Sequence, residues 1–262
     1  MNLAAAVVSL VLAFQSGISA DGHGPSARAT LIELRHVVYD SMYRNDADGL
    51  RLAIAALEKL TDRAGSTERP YVRYYSSVAH WALSAAQLQA GDAPGGLRSA
   101  QAAVAHARAG LELRPEDPEF HAVLANGLIV VAILDQPNFM TTAKELASIR
   151  KQALLLGPAN PRVVVMDAGM IFNNPPSRGG GQERGLTRWR EALALFEREA
   201  SAPGGDVLAP SWGHALAWGW LANLLQKAEG DRMAVAREAA AAALQMRPDF
   251  WYVREQVIPR LK

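Results

Sequence analysis

Leu244-Gln245-Met246-Arg247-Pro248, Leu154-Leu155-Leu156-Gly157-Pro158 and Leu111-Glu112-Leu113-Arg114-Pro115 are three versions of one phrase: an apolar helix end stopped by a proline. Proline has no backbone N–H and its ring clashes with the preceding turn, so each phrase marks a helix terminus. Further prolines at 25, 70 and 203 place the set at successive spacings of 45, 45, 43, 45 and 45 residues. A fixed period of this length is the mark of a repeat architecture.

Within each unit the apolar residues step by three and four. Examples are Leu97, Ala100, Val104, Ala107 and Leu111, and again Leu186, Trp189, Leu193 and Phe196. That spacing draws one stripe on one helical face. Each unit is also broken near its middle, at Asn45-Asp46, at Gly91–Gly96, at Asp135-Gln136-Pro137, in the Pro/Gly segment 175–181 and at Gly230-Asp231. The unit is therefore helix, turn, helix. Val163-Val164-Val165 alone suggests a strand, but its place in the period predicts helix.

In the last unit Trp218, Leu221 and Ala222 form a W-x-x-L-small opening, and Ala236, Ala240, Ala243 and Pro248 follow at second-helix positions. Ala103, Ala107, Gly110 and Pro115 repeat the second half, and Ala192 with Phe196 gives an A-x-x-x-F pair. On these residues the chain resembles the tetratricopeptide repeat (TPR) family over roughly residues 25–250. It departs in period, which is near 45 against about 34 for the family, and most units lack the opening Trp and Tyr. HEAT-like or irregular TPR-like pairs stay open. The resemblance implies an all-α solenoid of about five antiparallel helix pairs, a TPR-like superhelix over residues 21–262 with a C-terminal capping helix. Phe250-Trp251-Tyr252-Val253 through Ile258 is the expected cap, so truncation at Arg247 is expected to lower thermal stability.

Leu3–Phe14 is an uncharged apolar run of 12 residues, followed by Ile18-Ser19-Ala20. As a helix it reaches only about 18 Å, short of the roughly 30 Å of a bilayer core. It reads as a signal peptide over residues 1–20, cleaved after Ala20, although Lys and Arg are absent before the run. The expectation is a periplasmic or secreted protein without a stable membrane anchor.

With 27 basic and 26 acidic residues, the formal net charge is +1 over 262 residues. Such a balance lacks the basic footprint of nucleic-acid binding. The absence of cysteine excludes disulfides, thiolate metal sites and thiol nucleophiles.

Candidate chemistry is sparse, and no cofactor or metal is expected. Asn173–Gly181 resembles a glycine-rich anion cradle but lacks the phosphate-loop lysine and hydroxyl, and reads more simply as an extended connector. Its Pro-Pro and Gly pair before a repeat helix is similar to a feature of exported TPR-like proteins, including the periplasmic helical component associated with some TRAP transporters. Glu33 and His36 share a helical face, but a di-iron bundle needs a second copy. Ser211 lacks the context of a nucleophile elbow and reads as a helix N-cap. His36, His80 and His214 fall 11, 10 and 11 residues after their prolines. They form either a ladder on the concave face, with Trp81, Asn126, Trp212 and Trp218 nearby, or ordinary packing residues.

The reading is a non-enzymatic, exported scaffold that binds a peptide or protein partner in its concave groove. Candidate contacts are His36, Tyr39, Tyr43, Tyr74, His80, Trp81, Asn126, Trp212, His214 and Trp218. The alternative from another class is a small-ligand-binding component of an envelope transport system; an enzyme is the third.

Overall fold

The computed structural model describes residues 25–202, 204–226 and 231–261. These residues are all-α: ten α-helices form five consecutive pairs, and no strand occurs among them. The pairs are α1 (Ala27–Arg44) with α2 (Ala47–Thr61), α3 (Arg69–Gln89) with α4 (Ala93–Leu113), and α5 (Pro118–Leu134) with α6 (Phe139–Leu156). They continue with α7 (Pro161–Asn173) and α8 (Gln182–Ser201), then α9 (His214–Leu225) and α10 (Asp231–Met246). Short π and 3-10 turns, Val253–Val257 and Ile258–Arg260, complete the C-terminal end.

Local chemistry sets these boundaries. α4, α6 and α10 end at Leu113, Leu156 and Met246, each two residues before a proline: Pro115, Pro158 and Pro248. Pro70 behaves differently: it sits in the first turn of α3, where its missing N–H has no partner to lose. Asx residues cap four of the helix starts. The side chains of Asp46, Asp92, Asp117 and Asn160 accept backbone N–H bonds from Gly49, Gly95, Glu119 and Arg162, satisfying donors that the helix cannot. Val163, Val164 and Val165 are buried in α7, so burial overrides their β-branched preference.

First helices α1, α3, α5 and α7 pack side by side in one layer, with the second helix of each pair against them. Small residues permit the close approach. At Gly110 of α4 an added Cβ stands 1.9 Å from the ring of Phe120 on α5, which is itself 1% exposed and packed edge-on against Tyr74 at 5.6 Å. Gly110→Ala gains about 1 kcal/mol of helix propensity, but it forces a buried ring to move at about 1–3 kcal/mol. We expect a net destabilisation of up to about 2 kcal/mol in urea unfolding, relieved by adding Phe120→Leu. A stabilised Gly110→Ala protein is the contrary outcome.

The superhelix closes on itself. Arg247 and Asp249, just beyond α10, reach the first helix: Arg247 pairs with Asp40 at 2.9 Å and Asp249 with Arg44 at 2.8 Å. Phe250 meets Tyr43 edge-on at 5.1 Å, and the Arg247 guanidinium lies 4.3 Å over the Tyr43 ring. The expected cap is therefore also a clasp joining the last pair to the first. Among the described residues no single helix is long and apolar enough to cross a membrane. The apolar run Leu3–Phe14 and the Ala20 cleavage point lie outside the described residues.

Candidate binding site

The extended open groove expected on the inner face is occupied. Residues 204–213, between α8 and α9, cross that face as a strap held by the first helices α1, α3 and α7. Asp206 accepts from Arg28 at 2.6 Å and from the Tyr71 hydroxyl at 3.1 Å. Arg35 donates to the Val207 carbonyl, and the Tyr75 hydroxyl to the Leu208 carbonyl at 2.6 Å. Arg162 reaches the Pro210 carbonyl at 2.5 Å, and the Ser211 N–H donates to the Tyr39 hydroxyl at 3.4 Å. Trp212 is buried, its indole N–H donating to the Tyr74 hydroxyl at 2.9 Å.

Beneath the strap lies a polar centre. Arg162 is 1% exposed. Its Nε stands 3.2 Å from Glu119, its terminal nitrogens bond both oxygens of Glu199 at 2.9–3.1 Å, and its plane faces the rings of Phe196 and Trp212. Tyr74 and Asn160 complete the Glu119 carboxylate with bonds of 2.8 and 2.7 Å. Burial by itself lowers the Arg162 pKa, but Glu119, Tyr74 and Glu199 outweigh it and hold the pKa above its ordinary value. Burial and then Glu119 push the Tyr74 phenol well above its usual value. Burial likewise raises Tyr39 and Tyr75, and Tyr43 to about 12. These phenols are neutral donors at ordinary pH, which suits fixed hydrogen bonding and not proton transfer.

The strap explains where the sequence candidates fall. Tyr39, Tyr43, Tyr74, Asn126 and Trp212 are buried, because they pack against the strap, the clasp or neighbouring helices instead of lining an open surface. His36 is exposed on α1. His80 stacks on His106 of α4 at 5.3 Å, and His214 stacks on Phe196 at 5.4 Å while accepting from the Trp218 indole at 3.3 Å. The three phase-matched histidines thus have three separate environments and form no ladder. No group of three or more His, Cys, Asp or Glu able to hold a metal occurs among the described residues. Ser211 is not the N-cap of α9: Gly213 holds that position at φ 111°, with no side-chain cap bond. Inserting Trp212 into the core delays the helix start to His214. In the 173–181 loop, the Gly180 and Gly181 N–H groups donate to Pro175 and Ile171, so two of the cradle's donors are already used.

What remains accessible is an aromatic seam. Trp81 of α3 and Trp220 of α9, both half-buried, meet edge-to-face at 5.9 Å across the inner face. Trp81 also contacts buried Trp212 at 5.6 Å, and Trp220 contacts buried Trp189 at 6.5 Å. The Trp189 indole is fixed to the Ala217 carbonyl at 2.9 Å. Four of the chain's six tryptophans therefore converge, two of them only half-buried. In the sequence Trp189 stands out only as part of an apolar stripe and Trp220 not at all; the signal for Trp220 is its place on the same short helix as Trp218.

No protein-family model matches the chain, and no curated protein matches it. Among solved structures, the HusA haemophore from Porphyromonas gingivalis is similar in fold, with a TM-score of 0.60 over 80% of this chain and 98% of that one. At 18% identity the likeness speaks for the helical architecture alone.

Proposed function

We propose that this chain is an exported, non-enzymatic binding protein of TPR-like ancestry whose aromatic seam takes a flat apolar ligand of the porphyrin class. The observation that carries the reading is the edge-to-face pair of half-buried indoles, Trp81 and Trp220, backed by two fixed, buried tryptophans. Rigid aromatic faces bind planar apolar ligands by area and stacking, with little conformational entropy to lose. The strap leaves little of the inner face for a long peptide, and the similar fold of a haemophore supports a porphyrin-class ligand. Export rests on the Leu3–Phe14 pattern.

The seam offers stacking rather than an assembled metal site, so ligand capture does not depend on iron. Haemin and metal-free protoporphyrin are both expected to quench tryptophan fluorescence saturably, with dissociation constants within about threefold of one another. Trp81→Ala and Trp220→Ala are each expected to weaken both by about tenfold or more, or about 1.4 kcal/mol, while the helical circular dichroism is retained. Linear, non-saturating quenching, or unchanged affinity in both variants, overturns the reading.

A second reading has its own observation. Ile133, Phe139 and Met140 stand 65%, 43% and 77% exposed around the α5–α6 turn, an apolar knob of the kind found at protein contacts. The partner-scaffold function is placed there rather than in the groove if crosslinking of the exported protein yields a partner that Met140→Asp abolishes.

A further inference from the structure

On the opposite side of α3 from the seam lies a second cleft, of about 370 Å³, between α2, α3 and α4. Its walls are Arg51, Ile54, Ala55 and Glu58 from α2, His80 and Leu83 from α3, and Arg98, Ser99 and Ala102 from α4. The α2 residues follow a step of three, one and three, which places them in a row on one helical face. Arg51 and Glu58, seven residues apart, stand at its two ends about 10.5 Å from each other.

The register of the other walls is fixed by hydrogen bonds. Ser84 donates to the Gly96 carbonyl at 2.7 Å and Ser77 to the Ala103 carbonyl at 2.9 Å, so α3 and α4 run antiparallel. α2 also runs against α3, and therefore parallel to α4. This order puts Arg98 beside the Arg51 end, next to Leu83, and leaves Glu58 at the end nearer His80. The cleft is cationic at one end, acidic at the other, and apolar between them through Ile54, Ala55, Leu83 and Ala102.

Its polar groups are under-used. Arg51 pairs only with its own-helix neighbour Asp48, itself highly exposed, while Arg98 and Glu58 have no ion pair among the described residues. In the wall, the Nδ1 of His80 has no hydrogen-bond partner. Burial and then the neighbouring His106 hold this ring's pKa down at about 4, so it is neutral at ordinary pH and adds no charge to the cleft.

The geometry points to a binding site for a short, free apolar peptide of about three residues, its carboxylate at Arg98 and Arg51 and its ammonium at Glu58. An extended chain advances about 3.3–3.6 Å per residue, so three residues match the helix rise of about 10.5 Å that separates the Arg51 and Glu58 backbones. The apolar floor accommodates aliphatic side chains, and neither end is matched by a blocked peptide.

Isothermal titration calorimetry of the whole protein with Leu-Ala-Leu tests this. Saturable binding is expected, weakened at least about fivefold by N-acetylation or by C-amidation of the peptide. The double variant Arg51→Ala/Arg98→Ala and Glu58→Gln, all at exposed surface positions, are expected to reproduce the loss for the corresponding end: the arginine variant no longer distinguishes free from amidated peptide, and Glu58→Gln no longer distinguishes free from acetylated. Trp81→Ala leaves this binding unchanged, because Trp81 is turned about 100° away from His80 on the same helix; failure of the porphyrin reading is thus separable from failure here. No saturable heat at about 1 mM peptide, or equal affinity for free and doubly blocked peptides, overturns the proposal.

Discussion

Arg162→Ala is expected to destabilise the protein by about 3–5 kcal/mol, because it strands Glu119 in the interior without its cation. Glu119 is only 12% exposed on its side chain, and the guanidinium also anchors Glu199 and the Pro210 carbonyl of the strap. For a chain of this length the loss corresponds to a fall in Tm of roughly 6–20 °C. The size follows from uncompensated charge and not from a large net value of the ion pair itself. Arg162→Met combined with Glu119→Gln is therefore expected to recover part of the loss: the buried Glu119 charge is gone, and the single glutamine oxygen still accepts from one of the two donors, Tyr74 or Asn160, that bond separate oxygens of the carboxylate. Circular-dichroism melts of both variants measure the difference. The single variant should also shift tryptophan emission to the red, since the strap that seats Trp212 loses its bond at Pro210. A loss below about 1 kcal/mol for Arg162→Ala means that water already compensates Glu119, and it removes the network as the organiser of the strap.

The helix pairs were legible in the sequence because two local signals agree: apolar steps of three and four, and prolines at nearly constant spacing. Leu111–Pro115 and Leu154–Pro158 end helices for the reason the residues themselves give. The inner face was not legible, and the strap shows why. Asp206-Val207-Leu208-Ala209-Pro210-Ser211-Trp212 has no periodicity, and its partners Arg28, Arg35, Tyr39, Tyr75 and Arg162 lie 48 to 178 residues away. A tyrosine on a first helix reads the same whether it lines a groove or packs beneath a loop, so Tyr39 and Tyr74 were placed on the right helices without their true surroundings. Arg162 was overlooked for a related reason: an arginine after a helix-starting proline ordinarily snorkels to water, and only Glu119 and Glu199, 43 and 37 residues distant, make its burial tolerable. The Trp81–Trp220 contact joins helices from the second and fifth pairs, which come together only because the superhelix closes.

That closure gives the other large effect. Deleting residues 248–262 removes Phe250, Val253, Val257 and Leu261, each no more than 5% exposed. At about 1.5–3 kcal/mol for each buried apolar side chain, the loss is about 6–12 kcal/mol, comparable with the whole stability of a typical domain at about 5–15 kcal/mol. The truncated chain is expected to lose its cooperative melt and to bind a hydrophobic dye. Two point variants separate the packing from the clasp. Phe250→Ala empties the space against Tyr43 and Gly219 and should cost about 3–5 kcal/mol. Asp249→Asn removes only the half-exposed pairs with Arg44 and Arg247, worth about 0–1 kcal/mol together. If Phe250→Ala is mild and Asp249→Asn is severe, the ring is held shut by charge and the C-terminal turns are not its cap. If the truncated chain melts at the wild-type temperature, closure contributes nothing to stability. The edge-to-face pairing of Trp81 and Trp220 must then be maintained by the strap alone.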